Sequence, residues 1–143
     1  MLRISKLTDY ATLIMSHLAM HTGGVESAAT IAEALHLGLP TVSKLLKLLA
    51  EANLLISMRG SDGGYRLARS PAHITLAEVI IAIEGEVALT LCCESDKLCA
   101  LTMTCTIQEN WKRINQLMLG FLARFTVKDM TSPLQLKSED YGK

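Results

Sequence analysis

The chain has 143 residues, a formal net charge of zero, 50% hydrophobic residues and only 4% aromatic ones, which fits one compact domain packed with Leu, Ile, Val, Ala and Met. No apolar run comes near membrane-spanning length and residues 1–6 lead into no signal-like stretch, so a cytoplasmic protein without membrane association is expected. The charge is uneven: residues 41–69 carry Lys44, Lys47, Arg59, Arg66 and Arg69 against Glu51 and Asp62, a locally basic stretch that suits an anionic partner.

Apolar spacing predicts a first helix over 6–21, with Leu7, Ala11, Ile14 and Leu18 on one face and Gly23-Gly24 after it. Ser27 is placed to cap a short helix over 28–36 with Ile31, Ala34 and Leu35 inward, and Gly38 breaks it. Pro40 opens a third helix whose stripe is Val42, Leu45, Leu46 and Leu49 and whose other face shows Thr41, Ser43, Lys44 and Lys47. After Asn53 the period changes to two, predicting strands over 54–59 and 65–69 around the glycine-rich turn 60–64. Thr75 and Glu78 form a T-x-x-E capping box ahead of a helix over 75–84, with Leu76, Val79, Ile80 and Ile83 on one side. A long helix is expected from about 105 to 125, where Ile107, Trp111, Ile114, Met118, Phe121 and Phe125 repeat as a heptad seam.

Helix, short helix, turn, helix and hairpin is the order of a winged helix-turn-helix, giving a mainly α fold with a small β-hairpin wing. The third helix of such a fold anchors through one apolar stripe and offers small polar and cationic groups to the major groove. Thr41, Ser43, Lys44 and Lys47 have that character, and Arg59, Ser61 and Gly63 stand at the hairpin tip, where backbone amides can meet phosphate. The expected partner is double-stranded operator DNA. The seam Trp111, Ile114, Met118 and Phe121 is expected to bury itself against a second copy, giving a homodimer. The expected division is a DNA-binding domain over 1–85, a cysteine loop over 86–106, a dimerisation helix over 107–130 and a disordered tail over 131–143.

All four cysteines fall within 92–105: Cys92, Cys93, Cys99 and Cys105, the last three with five residues between neighbours. Clustered thiols in a reducing compartment point to metal or redox chemistry rather than disulfides. Thiolates hold both zinc and iron–sulfur clusters, and the wide spacing favours a ligand larger than one tetrahedral ion. Glu94, Asp96 and Lys97 are expected to keep this loop facing solvent.

The sequence 6–11 (KLTDYA), the wing 59–67 (RGSDGGYRL), the stretch 74–79 (ITLAEV) and the three-cysteine loop together resemble the bacterial winged-helix regulators that sense iron–sulfur clusters or nitric oxide, the IscR and NsrR type, and among them the regulators of the SUF cluster-assembly operon. The resemblance covers about residues 1–130. It implies a homodimer on a palindromic operator, crossed C-terminal helices, and a 2Fe–2S or 4Fe–4S cluster held by Cys93, Cys99 and Cys105. IscR-like members add a histidine where this chain has Gln108, a departure; NsrR-like members use an aspartate of the partner subunit, matched here by Asp9. Cys92 adjoins Cys93, and neighbouring residues rarely reach one metal together, so Asp9 ranks above it.

The function expected is a transcriptional regulator, a repressor of cluster-assembly genes with the cluster as sensor. Sensing of nitric oxide, zinc or thiol redox state on the same fold is the alternative. No phosphate loop, nucleophile–base pair or acid/base pair marks an enzyme, and no small-molecule substrate is implied. Of the scattered histidines His17, His21, His36 and His73, the first two stand one helical turn apart, a metal-capable spacing also common in surface and core fillers.

Overall fold

The computed structural model describes residues 3–21, 23–95, 99–101 and 103–135. Helix α1 spans Lys6–Met20, with Ser5 as its cap: the Ser5 hydroxyl accepts the Thr8 backbone N–H. Its inward face, Ala11, Ile14, Met15 and Leu18, is buried in the main core. Helix α2 spans Ala28–Leu35 and is capped by Ser27 as expected. Its inward residues are Ile31 and Ala32, with Ala28 and Leu35 packed at the edge. Ala34, expected inside, is exposed, because the stripe that includes Ile31 on a 3.6-residue period passes through 28, 32 and 35.

Helix α3 spans Leu39–Glu51, with Pro40 in its first turn and Gly38 as its cap. Val42, Leu45, Leu46 and Leu49 all have 0% exposure. Each such burial is worth about 1.5–3 kcal/mol, so the stripe fixes which face of α3 is left to solvent. Strand β1 (Leu55–Met58) pairs antiparallel with β2 (Gly64–Leu67), Leu55 opposite Leu67 and Met58 opposite Gly64. Both strands are shorter than their expected ranges. Leu54 and Leu55 enter the core and the hairpin runs outward from there.

A short 3-10 turn, Pro71–His73, leads to helix α4, Leu76–Glu84. The Thr75–Glu78 capping box is complete in both directions. Arg69 bonds Glu78 and also donates to the His73 carbonyl at 2.9 Å, so the hairpin's exit is tied to the α4 cap. At the other end of α4, Glu84 accepts from the Ser5 amide at 3.1 Å and from the Thr8 hydroxyl, tying α4 to the start of α1.

Helix α5 is a single turn, Leu91–Glu94, and α6 spans Gln108–Leu122. The long helix is therefore shorter than the 105–125 expected. Phe125 is drawn out of it because its carbonyl accepts the Leu76 amide at 2.8 Å. The chain then returns to the winged-helix core: Val127 is buried and its amide bonds the Ile74 carbonyl at 2.8 Å. A 3-10 turn, Asp129–Thr131, packs against α1, so Thr131, expected to open a tail, closes an ordered turn. Residues 136–143 of that tail lie outside the described residues.

Candidate functional site

On α3 the anchored stripe leaves Ser43, Lys44 and Lys47 exposed and Thr41 half-buried near the N-terminal end. Ser43, Lys44 and Lys47 thus share the side opposite the core, and Thr41 stands at the edge between that side and the core. No acidic residue stands in the first turn of α3, so nothing there offsets the positive end of the helix dipole. At the hairpin tip Arg59 and Ser61 are exposed. Gly63 has a different place: a Cβ there would stand 2.5 Å from the Met58 carbonyl oxygen and 2.8 Å from that of Gly60. The turn itself needs this glycine, and its amide is spent on the Gly60 carbonyl at 3.1 Å. Behind the tip, Gly64 has φ +157° and presses on Glu26, where any Cβ would lie 2.2 Å from the carbonyl oxygen. Glu26 and Tyr65 exchange backbone hydrogen bonds of 3.0 and 2.8 Å, so the root of the wing is clamped to the loop before α2.

The cysteine segment hangs between α4 and α6. Cys92 is buried in α5, while Cys93, Cys99 and Cys105 are half-buried, and none of the four is in a disulfide. Adjacent helical residues point about 100° apart, which separates Cys92 from the direction of Cys93. Thr90 occupies the capping position of α5 without capping its backbone. Its hydroxyl lies instead 3.0 Å from the Cys92 sulfur and 3.3 Å from that of Cys93, where it can donate to a thiolate. Glu94 is exposed, as expected; Asp96 and Lys97 lie outside the described residues.

Asn115, buried on the inner face of α6, holds the start of this segment: the Leu89 amide donates to its Oδ1 at 3.0 Å and its Nδ2 donates to the Val87 carbonyl at 3.1 Å. Asn115 and Thr90 were not legible as functional residues in the sequence. An asparagine inside a heptad-like helix is the only signal of the first, and nothing marked the second. Gln108 is buried at the first position of α6, and Asp9 is exposed in the first turn of α1.

Thiolate-forming side chains half-shielded from water are the right donor type for an iron–sulfur cluster. Among the described residues, however, the one set of three ligand-type atoms within 4.8 Å of one another is His17, His21 and Glu26; the sulfurs of Cys93, Cys99 and Cys105 do not form such a set.

The outer face of α6 is apolar and open. Leu117 is 68% exposed, Ile114 47% and Phe121 43%, and Trp111 is exposed beside them, while Met118 is half-buried. The buried residues of this helix are polar, Gln108 and Asn115. Helix α6 thus presents polar groups to its own chain and its apolar seam outward, the reverse of a monomeric surface helix.

The family model described as Rrf2, iron-dependent transcriptional regulator, matches residues 4–133. A putative HTH-type transcriptional regulator of Azotobacter vinelandii is 32% identical over 132 residues, covering 92% of this chain and 80% of that protein. The HTH-type transcriptional regulator IscR of Photorhabdus laumondii is 27% identical over 132 residues, with the same coverage of 92% and 80%. Among solved structures, CymR, the global cysteine regulator of B. subtilis, superposes with a TM-score of 0.70 at 30% identity, covering 92% of this chain and 97% of its own. IscR of T. potens gives a TM-score of 0.66 at 29% identity, covering 90% and 85%. No helix among the described residues is long and apolar enough to cross a membrane. With its exposed basic helix, its wing and these likenesses, the chain belongs to the Rrf2 family of DNA-binding transcriptional regulators and is not an enzyme.

Proposed function

We propose that this chain is a homodimeric repressor of iron–sulfur cluster-assembly genes that binds a palindromic operator and reads a cluster held by Cys93, Cys99 and Cys105, with Asp9 of the partner subunit as the fourth ligand. The observation that carries the reading is the way the cysteine segment is fastened. Val87 and Leu89, just ahead of the first thiols, are held by Asn115 from the inner face of α6, and the outer face of that same helix is the apolar seam. A 2Fe–2S or 4Fe–4S cluster would be held by the deprotonated sulfurs of Cys93, Cys99 and Cys105, with the Asp9 carboxylate of the partner subunit completing the set, and would supply the redox- and oxidant-sensitive chemistry that is sensed. The residues of the chain do the rest: Thr90 orients the first sulfurs, Asn115 passes the state of the segment to α6, and α6 sets the spacing of two recognition helices across the dimer. Control requires different DNA affinities in the two cofactor states.

In this reading Lys44, Lys47 and Arg59 neutralise phosphates, Thr41 and Ser43 meet base edges or backbone, and Ser61 with the tip amides approaches phosphate beside the groove. Trp111, Ile114, Met118 and Phe121 close the dimer. The protein acts in the cytoplasm, without a small-molecule substrate. A second reading has the same fold sensing thiol oxidation, with zinc or nitric oxide as further signals. It is supported by the likeness to CymR and by the Thr90 hydroxyl shared between two adjacent sulfurs.

The deciding experiment is an absorption spectrum of anaerobically purified protein with iron and sulfide assays, followed by operator binding before and after cluster removal. Visible charge-transfer bands, stoichiometric iron and sulfide, and a change in operator affinity support cluster sensing. Failure of reconstitution, with DNA binding that responds to thiol oxidants, transfers the assignment to the second reading. Light scattering that finds a monomer at micromolar concentration removes the dimer.

A further inference from the structure

Away from the cysteines, three side chains from the end of α1 and the loop after it converge beside the root of the wing. His17 and His21 stand one turn apart at the end of α1, and Glu26 follows the Gly23-Gly24 turn. One ligand-type atom from each lies within 4.8 Å of the other two. His17 is buried, and its Nε2 donates to Glu26 Oε2 at 2.9 Å. The ring of His21 lies over that of His17, with centroids 4.3 Å apart. Its Nδ1 donates to the His17 carbonyl at 2.8 Å, which leaves the lone pair on Nε2. An imidazole with one nitrogen tied to a backbone carbonyl and the other carrying its lone pair is oriented as a metal ligand. The second carboxylate oxygen, Glu26 Oε1, is buried without a hydrogen-bond partner. A buried acceptor left in that state costs about 1–3 kcal/mol, and a cation relieves it.

We infer that His17, His21 and Glu26 form a binding site for a divalent transition-metal ion of the zinc type, separate from the cysteine segment. Two neutral imidazoles and one carboxylate are a donor set that zinc accepts, with water at the fourth position. Binding at His17 Nε2 displaces the proton that this nitrogen now gives to Glu26, and in the neutral, metal-bound ring the single proton moves to Nδ1. Ligand atoms around a tetrahedral zinc ion stand about 3.3 Å apart, so the His17–Glu26 pair opens by about 0.4 Å on loading.

The site's position gives it a consequence. The Glu26 backbone is the partner of Tyr65 in β2 and the surface against which Gly64 packs. A metal there ties α1 to the strand that carries the wing and steadies Arg59 and Ser61 relative to α3. It does so whether or not the cysteines hold a cofactor.

The test uses the full chain with Cys93, Cys99 and Cys105 replaced by serine, titrated with zinc against a chromophoric chelator and with cobalt(II) by absorption. The expected result is one equivalent of zinc, ligand-field cobalt bands without thiolate-to-cobalt charge transfer, and a rise in melting temperature on loading. His21→Ala, which removes an exposed ring and leaves the core intact, is expected to weaken zinc binding about 100-fold or more, and Glu26→Gln to do the same. Absence of zinc binding in the serine variant, or affinity unchanged by His21→Ala in a protein that still melts cooperatively, overturns the site. Neither result bears on the cysteine segment, whose own readout is iron and sulfide.

Discussion

Asn115 accepts the backbone amide of Leu89 at 3.0 Å and returns a hydrogen bond to the Val87 carbonyl at 3.1 Å. One buried amide side chain on α6 thus satisfies two backbone groups of the segment that leads into the cysteines. A buried polar group is tolerated only when its partners are present. Here the partners are the means by which the long helix and the thiol-bearing segment share one position.

Asn115→Ala leaves the Leu89 amide and the Val87 carbonyl without partners. The expected loss of stability is about 1–3 kcal/mol, read as a lower denaturation midpoint. Asn115→Asp, which keeps the acceptor for Leu89 but loses the donor to Val87, should fall between parent and alanine variant. If the alanine variant retains cofactor and operator response unchanged, the coupling role of Asn115 is wrong.

The four cysteines should separate into two classes. Serine at Cys93, Cys99 or Cys105 is expected to abolish cluster retention, whereas Cys92→Ser should keep iron and sulfide near the parent level. Thr90→Val, which removes the hydroxyl beside the Cys92 and Cys93 sulfurs, is expected to shift the visible absorption and shorten cluster lifetime without preventing assembly. Loss of cluster in Cys92→Ser but not in Cys93→Ser would reverse the assignment.

Lys44→Ala with Arg59→Ala removes one exposed cation from α3 and one from the hairpin tip while touching no core residue. Operator binding should fall by at least about tenfold at moderate salt, with a salt dependence shallower by about four phosphate contacts per dimer, two from each protomer. Gel shifts across a salt series measure both. An unchanged slope would place DNA elsewhere. By contrast, Leu46→Ala in the 0%-exposed stripe should cost about 2–5 kcal/mol of stability and lose DNA binding only through unfolding.

Glu84 ties α4 to α1, and hydrogen bonds from Ser5 first and Thr8 next hold its carboxyl below the ordinary 4.5. A group whose folded-state pKa is depressed stabilises the fold above the unfolded value and loses that contribution as pH falls through the folded one. Glu84→Gln should therefore lower the melting temperature slightly at neutral pH and flatten its decline below about pH 4.5. Because Glu84 is exposed, solvent screening keeps the effect small. An acid limb identical to the parent's would show that the α1–α4 tie adds nothing.

Elements that rest on local chemistry are legible from the order of residues alone. The α3 stripe, the Ser27 cap, the Thr75–Glu78 box and the glycine-bounded hairpin are each written within one or two turns of chain, where periodicity and capping act directly. The heptad pattern of α6 was equally legible, as was the expectation that its seam faces a second copy rather than its own chain. Only the tertiary structure decided which groups hold the other side of the helix, burying Asn115 and Gln108 there, and only it stopped α6 short by giving the Phe125 carbonyl to Leu76. The same holds for the sites. Four cysteines within 92–105 announce thiol chemistry by number alone, and His17 with His21 shows a helical spacing. The third member, Glu26, joins them because the backbone pairing of Glu26 with Tyr65 places its carboxylate under α1. Contacts between distant segments are chosen by packing of the whole chain, so no local pattern records them.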